Sequence, residues 1–176
     1  HSIDWQVGRT GKITPVAVFD TVILDGTDVS RASLHNLSII KELGIRNGAK
    51  VTIVKKNEII PQIIKSVGGT EDFEVPKVCP ICGGATTQCS DGGSISLYCR
   101  NIDCAAQNIR KIAYFASKEC MNIDGLSEKT VEKFVNAGII KNILDIYKLE
   151  NYHDEIVGFE GMGEKSFAKL LSAIEK

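Results

Sequence analysis

Four cysteines in two close pairs, Cys79 with Cys82 and Cys99 with Cys104, constrain this 176-residue chain more than any other feature. They stand in a segment, residues 73–106, that is short of apolar side chains and dense in Cys and Gly. Such a segment cannot bury a core of its own and needs a staple. Zinc in a structural site takes four soft ligands in a tetrahedron, and each close pair of cysteines supplies two thiolates from one knuckle. Two disulfides, or free buried thiols, are the other reading. Pro80, Gly83 and Gly84 suit a tight knuckle, and the sixteen residues between the pairs leave room for a short hairpin through residues 94–98. No secretory signal and no small-secreted-domain composition accompany the cysteines, which favours a reducing compartment and a metal. Four sulfur ligands leave no open coordination position, so the zinc expected on Cys79, Cys82, Cys99 and Cys104 is structural. Cys89 and Cys120 fall outside the pattern and read as ordinary thiols, with Cys89 also placed to compete as a ligand.

Apolar residues make up 43% of the chain, enough for packed cores and too many for a disordered chain. No apolar stretch approaches the ~20 residues of a membrane helix. The first residues, His1 to Trp5, have neither the basic start nor the apolar run of a signal peptide, and the missing start methionine points to a processed, tagged or excised piece. Net charge is −1, so bulk electrostatics do not announce nucleic acid. The charge is uneven: residues 1–67 carry nine Lys/Arg against six Asp/Glu, a net +3, and residues 120–176 carry seven against ten, a net −3. Any nucleic-acid contact in the C-terminal third would therefore rest on local geometry and not on a general positive field.

The chain reads as a multidomain α+β protein in three parts. Residues 1–72 are β-rich, with strand candidates at 16–19, 21–24, 50–55 and 58–67 and a turn at Asp25 and Gly26. One helix is expected over 33–43, with an apolar stripe of Leu34, Leu37 and Ile40 and a stop at Gly44. Short strands with one inserted helix suit a small closed β-barrel such as the OB-fold, and a small sandwich would read alike. Residues 73–106 are the four-cysteine zinc finger. Residues 107–176 read as all-α, with one stripe at Ile109, Ile112, Ala113 and Ala116 and another at Phe167, Leu170, Leu171 and Ile174.

The all-α part contains an internal repeat. Residues 124–135 align with 160–171 at a shift of 36, and the acid, the Gly, the apolar residue, the Glu-Lys pair, the hydroxyl and a later Lys all recur. Each copy holds a turn before a helix, Gly125-Leu126-Ser127 and Gly161-Met162-Gly163. Backbone N–H groups at such a helix start have no partners within the helix, and the helix dipole adds positive potential, so the place suits a phosphate. Lys129 and Lys165 lie in the first turns and add charge. This is the helix-hairpin-helix pattern, which reads the DNA backbone and carries no sequence code. The plainer reading makes each Gly only a joining turn. Two turns in register favour phosphate binding. Ser127 departs from Gly and can instead cap its helix with its own side chain.

The stretch Gly8-Arg9-Thr10-Gly11-Lys12 reads by spacing as a solvated turn, Lys55-Lys56 as a solvated strand end and His35 as a packed or capped histidine. A search for catalysis is empty: there is no P-loop, no G-x-S-x-G and no H-E-x-x-H. The Asp-Gly pairs at 25–26, 91–92 and 124–125 have no Lys two residues before the Asp, so the Lys-x-Asp-Gly nucleophile of nucleotidyl transferases is also absent.

Taken together, GRTGKITPVA at 8–17, VSRASLHN at 29–36, IIPQ at 59–62, the four paired cysteines, FAS at 115–117, MNIDGL at 121–126 and GFEGMGEK at 158–165 resemble the bacterial NAD-dependent DNA ligase, in order along nearly the whole chain. The resemblance implies an OB-fold, a four-cysteine zinc finger and the first two hairpins of a helix-hairpin-helix domain. It implies a parent enzyme that passes AMP from NAD to the 5′-phosphate of a nick in duplex DNA. NAD and Mg would be bound by a nucleotidyl transferase domain that this chain lacks, and this piece would be inactive alone. Arg9 and Thr10, with Gly125, Ser127, Lys129, Gly161, Gly163 and Lys165, would touch DNA. A soluble, cytoplasmic, nucleoid-associated role in DNA replication and repair follows. The chain departs from the family at 56–61, where Lys56-Asn57-Glu58 replaces the usual Ala-Gly-Asp. That departure keeps open a second reading, a free-standing ligase-like accessory module that holds nicked or branched DNA. A zinc-stabilised protein-interaction scaffold is a third.

Overall fold

The computed structural model describes residues 1–57 and 59–175, so Glu58, where the last strand candidate of the first part was expected to begin, and Lys176, the end of the all-α part, lie outside the described residues. The chain separates into two compact units, residues 1–104 and 105–176.

The first unit is built around one long strand. Strand β2 (Lys12–Leu24) pairs antiparallel with β1 (Ser2–Val7) and with β3 (Thr27–Ser33), and its start pairs with β7 (Ser94–Cys99), which in turn pairs with β6 (Thr86–Asp91). The two strand candidates at 16–19 and 21–24 are this single strand, interrupted by a register shift between Val18 and Val22. A bulge of that kind bends a strand and sharpens its twist, which lets β2 serve several neighbours. The expected turn at Asp25 and Gly26 joins β2 to β3, with both residues at positive φ (47° and 73°). Two left-handed residues in a row make the turn whose twist matches a hairpin's. Strands β4 (Lys50–Lys56) and β5 (Ile60–Val67) form a separate hairpin.

The expected helix is shorter than its apolar stripe. Helix α1 covers Leu37–Glu42, and residues 33–36 precede it. Asn36 caps it, its side-chain oxygen accepting from the amide of Ile39 at 3.1 Å, and His35 just before it sits in the left-handed region at φ 60°. A left-handed residue cannot continue a helix backward. Leu34 is buried all the same, because the chain leaving β3 delivers it to the core: its amide donates to the carbonyl of Pro15 at 2.9 Å. Around it pack Ala17, Ala32, Ile45 and Ile63, with Phe19, Ile40, Ile53 and Phe73 at the margin.

The second unit contains α2 (Ala105–Ala116), α3 (Glu128–Asn136), a 3₁₀ segment (Ile143–Tyr152), α4 (His153–Val157) and α5 (Glu164–Ile174). Both expected stripes face one core. Ile112 and Ala116 of α2 and Phe167 and Leu170 of α5 are buried with Val131, Phe134, Ile140, Ile146, Leu149 and Ile156. Burial of each large side chain contributes roughly 1.5–3 kcal/mol. The 3₁₀ segment opens with a capping box, in which Asn142 and Asp145 satisfy each other's backbone amides.

Candidate metal centre and nucleic-acid interface

The cysteine knuckles are shaped by their glycines and by Asn101. The amide of Cys79 donates to the carbonyl of Gly84 at 2.7 Å, and the amide of Gly83, at φ 67°, donates back to the carbonyl of Cys79 at 2.9 Å. Gly84 lies so close to the second knuckle that a Cβ there would stand 2.9 Å from the Cβ of Asn101 and 3.3 Å from the Cys82 sulfur. The second knuckle is closed by the amide of Cys104 on the carbonyl of Asn101 (3.3 Å) and by the amide of Asp103 on its side chain (3.0 Å).

These turns bring the sulfurs of Cys79, Cys82, Cys99 and Cys104 within 4.8 Å of one another, three of the residues buried and Cys82 half-buried. Cys82 and Cys99 sulfurs stand 3.6 Å apart. A disulfide needs about 2.05 Å. A tetrahedron with metal–sulfur bonds of about 2.3 Å has edges of about 3.8 Å. The spacing is too long for a covalent pair and would admit a cation, and all six cysteines are unbridged. The side chain of Asn101 and the amide of Gly84 hold the Cys82 thiol down at about 6, whereas burial pushes Cys99 up to about 12. A cation coordinated there would deprotonate the thiols that hold it. Among the described residues no other His, Cys, Asp or Glu joins the four sulfurs, which could hold a metal of the structural kind. Cys89 lies outside the group, its sulfur 2.9 Å from an Arg100 guanidinium nitrogen, and Cys120 is exposed.

Arg9 and Thr10 form the exposed tip between β1 and β2. The amide of Gly8 donates to the carbonyl of Lys12 (2.8 Å), and Gly11 stands at φ 80°. The carbonyl of Gly11 accepts from the amide of Cys99 at 2.8 Å, so this tip is fastened to a cysteine of the cluster.

The two repeats fold alike. Gly125 and Gly161 both take positive φ, 94° and 82°, where L side chains are strained. The next residue closes the same turn in each copy: the amide of Leu126 on the carbonyl of Ile123 (3.3 Å), and that of Met162 on Phe159 (3.0 Å). Helices α3 and α5 start from Ser127 and Gly163, both extended. Ser127 accepts the amide of Thr130 with its hydroxyl at 3.2 Å, and Gly163 offers no side chain. Lys129 and Lys165 are exposed in the first turns.

Sequence reasoning missed how the copies hold each other. Lys169 of the second repeat pairs with Asp124 of the first at 2.7 Å, and Lys133 of the first donates to the carbonyl of Glu160 in the second at 3.0 Å. Lys133 and Lys169 are equivalent positions, as are Asp124 and Glu160, so equivalent lysines brace equivalent positions of the other copy, one on a carboxylate and the other on a backbone carbonyl. The recurrence of an acid and a lysine nine positions apart in both copies was the available signal.

Residues 1–73 match a sequence model of the NAD-dependent DNA ligase OB-fold domain. Over its full length the chain is 47% identical to a DNA ligase of Lachnoclostridium phytofermentans, covering 27% of that protein. It is 42% identical over 99% of its length to a DNA ligase of Ruminiclostridium cellulolyticum, again 27% of that protein. A DNA ligase of Oceanobacillus iheyensis is 40% identical over all of this chain and 26% of its own length. The chain thus spans about a quarter of the length of these relatives. Residues 1–73 thus carry the OB-fold domain of the NAD-dependent DNA ligases, and the chain is similar along its whole length to a stretch of proteins named DNA ligase.

Proposed function

We propose that this chain is the part of an NAD-dependent DNA ligase that grips the backbone of nicked duplex DNA. On this reading it works in three parts: an OB-fold over 1–72, a four-cysteine zinc finger over 73–106 and two helix-hairpin-helix turns over 107–176. The observation that carries the reading is the pair of glycine turns at Gly125 and Gly161, alike in dihedral angle and in turn hydrogen bond and braced against each other. Each puts the start of a helix and a lysine at the surface, and at Gly163 no side chain caps the helix. Gly125, Ser127 and Lys129 hold one phosphate, and Gly161, Gly163 and Lys165 another. Arg9 and Thr10 add a third contact from the tip fastened to the cysteine cluster. Zinc on Cys79, Cys82, Cys99 and Cys104 is structural. A nucleotidyl transferase domain of the same enzyme, with NAD and Mg, supplies the AMP transfer, and this stretch contributes binding without catalysis. The work of sealing nicks in replication and repair places the enzyme in the bacterial cytoplasm, on the nucleoid.

Binding of the chain to nicked and intact duplexes across a salt series tests this. Affinity should fall steeply, with a log–log slope of about −0.9 for each phosphate neutralised. Gly163→Val should weaken binding without unfolding, since Gly163 has ordinary extended dihedrals and a Cβ there meets nothing within 4 Å. A chain indifferent to DNA at low salt would defeat the proposal.

A further inference from the structure

The helix that follows each glycine turn opens with a glutamate, Glu128 in α3 and Glu164 in α5. A carboxylate suits a helix N-terminus electrostatically, yet it opposes a second anion arriving at the same place. In both copies a basic side chain on the helix before the turn meets that glutamate. Arg110 of α2 lies 3.3 Å from Glu128. His153, at the start of α4, places Nε2 2.9 Å from Glu164 and Nδ1 2.8 Å from Asp154. Its ring is edge-on to Phe167, with centroids 5.3 Å apart, which fixes the imidazole between the two carboxylates. The same task is thus done by a permanent charge in the first repeat and by a titratable one in the second.

We propose that Arg110 and His153 are positioning residues that screen the helix-opening glutamates from bound phosphate, and that the histidine makes the second turn's hold on DNA tighten as pH falls. This rests on the reading of Gly161 and Gly163 as a phosphate site. With His153 neutral, Asp154 and Glu164 leave two negative charges beside α5. With His153 protonated one remains. In the first repeat Arg110 cancels Glu128 at every working pH. Other charged residues on the elements packed against His153 are Asp145, Lys148 and Glu150 in the 3₁₀ segment, Glu155 in α4, and Lys165 and Lys169 in α5. Asp145 and Lys148 pair with each other, and Lys169 with Asp124. Hydrogen bonds to Asp154 first and Glu164 second raise the pKa of His153 above its ordinary 6.5, which moves its titration toward neutral pH. A phosphate nearby favours the same protonated form, so DNA binding and proton uptake reinforce each other reciprocally.

The test measures duplex binding by the whole chain from acidic to mildly alkaline pH at one low salt concentration, for the wild type, His153→Arg and His153→Gln. His1 and His35 remain in all three proteins, so their contribution cancels. The wild type should tighten about two- to fivefold on acidification, the size of a charge at a helix terminus. His153→Arg should hold the low-pH affinity throughout, and His153→Gln the high-pH affinity. Should all three bind DNA with one common pH profile, the screening role is overturned and the grip survives. Should none bind at low salt, the grip itself is overturned. If either variant misfolds, the imidazole of His153 in the wild type is followed by NMR: its titration midpoint should rise when duplex is added, and an unmoved midpoint overturns the proposal.

Discussion

The hairpin that carries the cysteine knuckles and the helical unit solve the same problem, holding a short chain in one shape, by opposite means. Residues 105–176 bury a continuous apolar core in which Ile112, Val131, Phe134, Ile140, Ile146, Leu149, Ile156 and Leu170 are sealed from water. The knuckles bury little beyond their own cysteines, and they leave Val78, Ile81 and Ile102 at 55%, 56% and 77% exposure. Where side chains fill the space, stability is spread over many contacts and tolerates small losses. A metal held by four sulfurs would concentrate it in a single element whose loss is total.

Four experiments press on that contrast. Chelation should have the largest effect, because metal binding at such a site is folding free energy, on the order of 10–16 kcal/mol. Hydrogen exchange should show the amides of Cys79, Gly83 and Cys104 losing protection while those of α3 and α5 keep theirs. Protected knuckle amides in the stripped protein would show that the cysteines need no metal. Next, Phe134→Ala should cost about 3–5 kcal/mol in the helical unit and leave any metal bound by the four cysteines in place. Denaturant melts and metal analysis on the same sample would separate the two. Third, Ser127→Ala removes the hydroxyl that caps α3 and should cost about 1 kcal/mol. No equivalent change exists at Gly163, so a matched loss there on substitution by Ala would contradict the asymmetry of the two turns.

The smallest effect concerns pH. Hydrogen bonds from the backbone amide of Lys141 and from Lys148 and Asn142 hold the Asp145 carboxyl below its ordinary 3.8. A depressed carboxylate adds stability above its unfolded value, and this is lost as pH falls through the folded one. Stability of the helical unit should therefore decline below pH 3.8. Asp145→Asn should decline less steeply over that window, and identical acid melts of the two proteins would remove Asp145 from the account.

Much of the arrangement was readable in the residues because it rests on short-range rules. The spacing of Cys79, Cys82, Cys99 and Cys104 is a statement about knuckle geometry, and their sulfurs do converge. Asp25 and Gly26 make the turn that their dihedral tolerance allows. The stripes on α2 and α5 face the core that a 3.6-residue period requires. Strands β1 and β3 were not recognised. The residues of β1 alternate, but the strand is short and half-exposed, and β3 is largely polar. The start of α1 was misplaced because Leu34 fits a helical stripe as well as a strand exit, and only the left-handed turn at His35 separates the two.

Local chemistry dictated which residues turn, which cap and which can take a metal, since those properties belong to a few neighbours along the chain. The long-range couplings waited on folding. Among them are β7 adding to β2, the tip of Arg9 and Thr10 fastened through Gly11 to Cys99, and the exchanged braces of Lys133 and Lys169. The placing of His153 between Asp154 and Glu164 belongs with them. Each joins residues distant in sequence or aims a side chain that many backbones would aim elsewhere, and a one-dimensional pattern carries no distance between them.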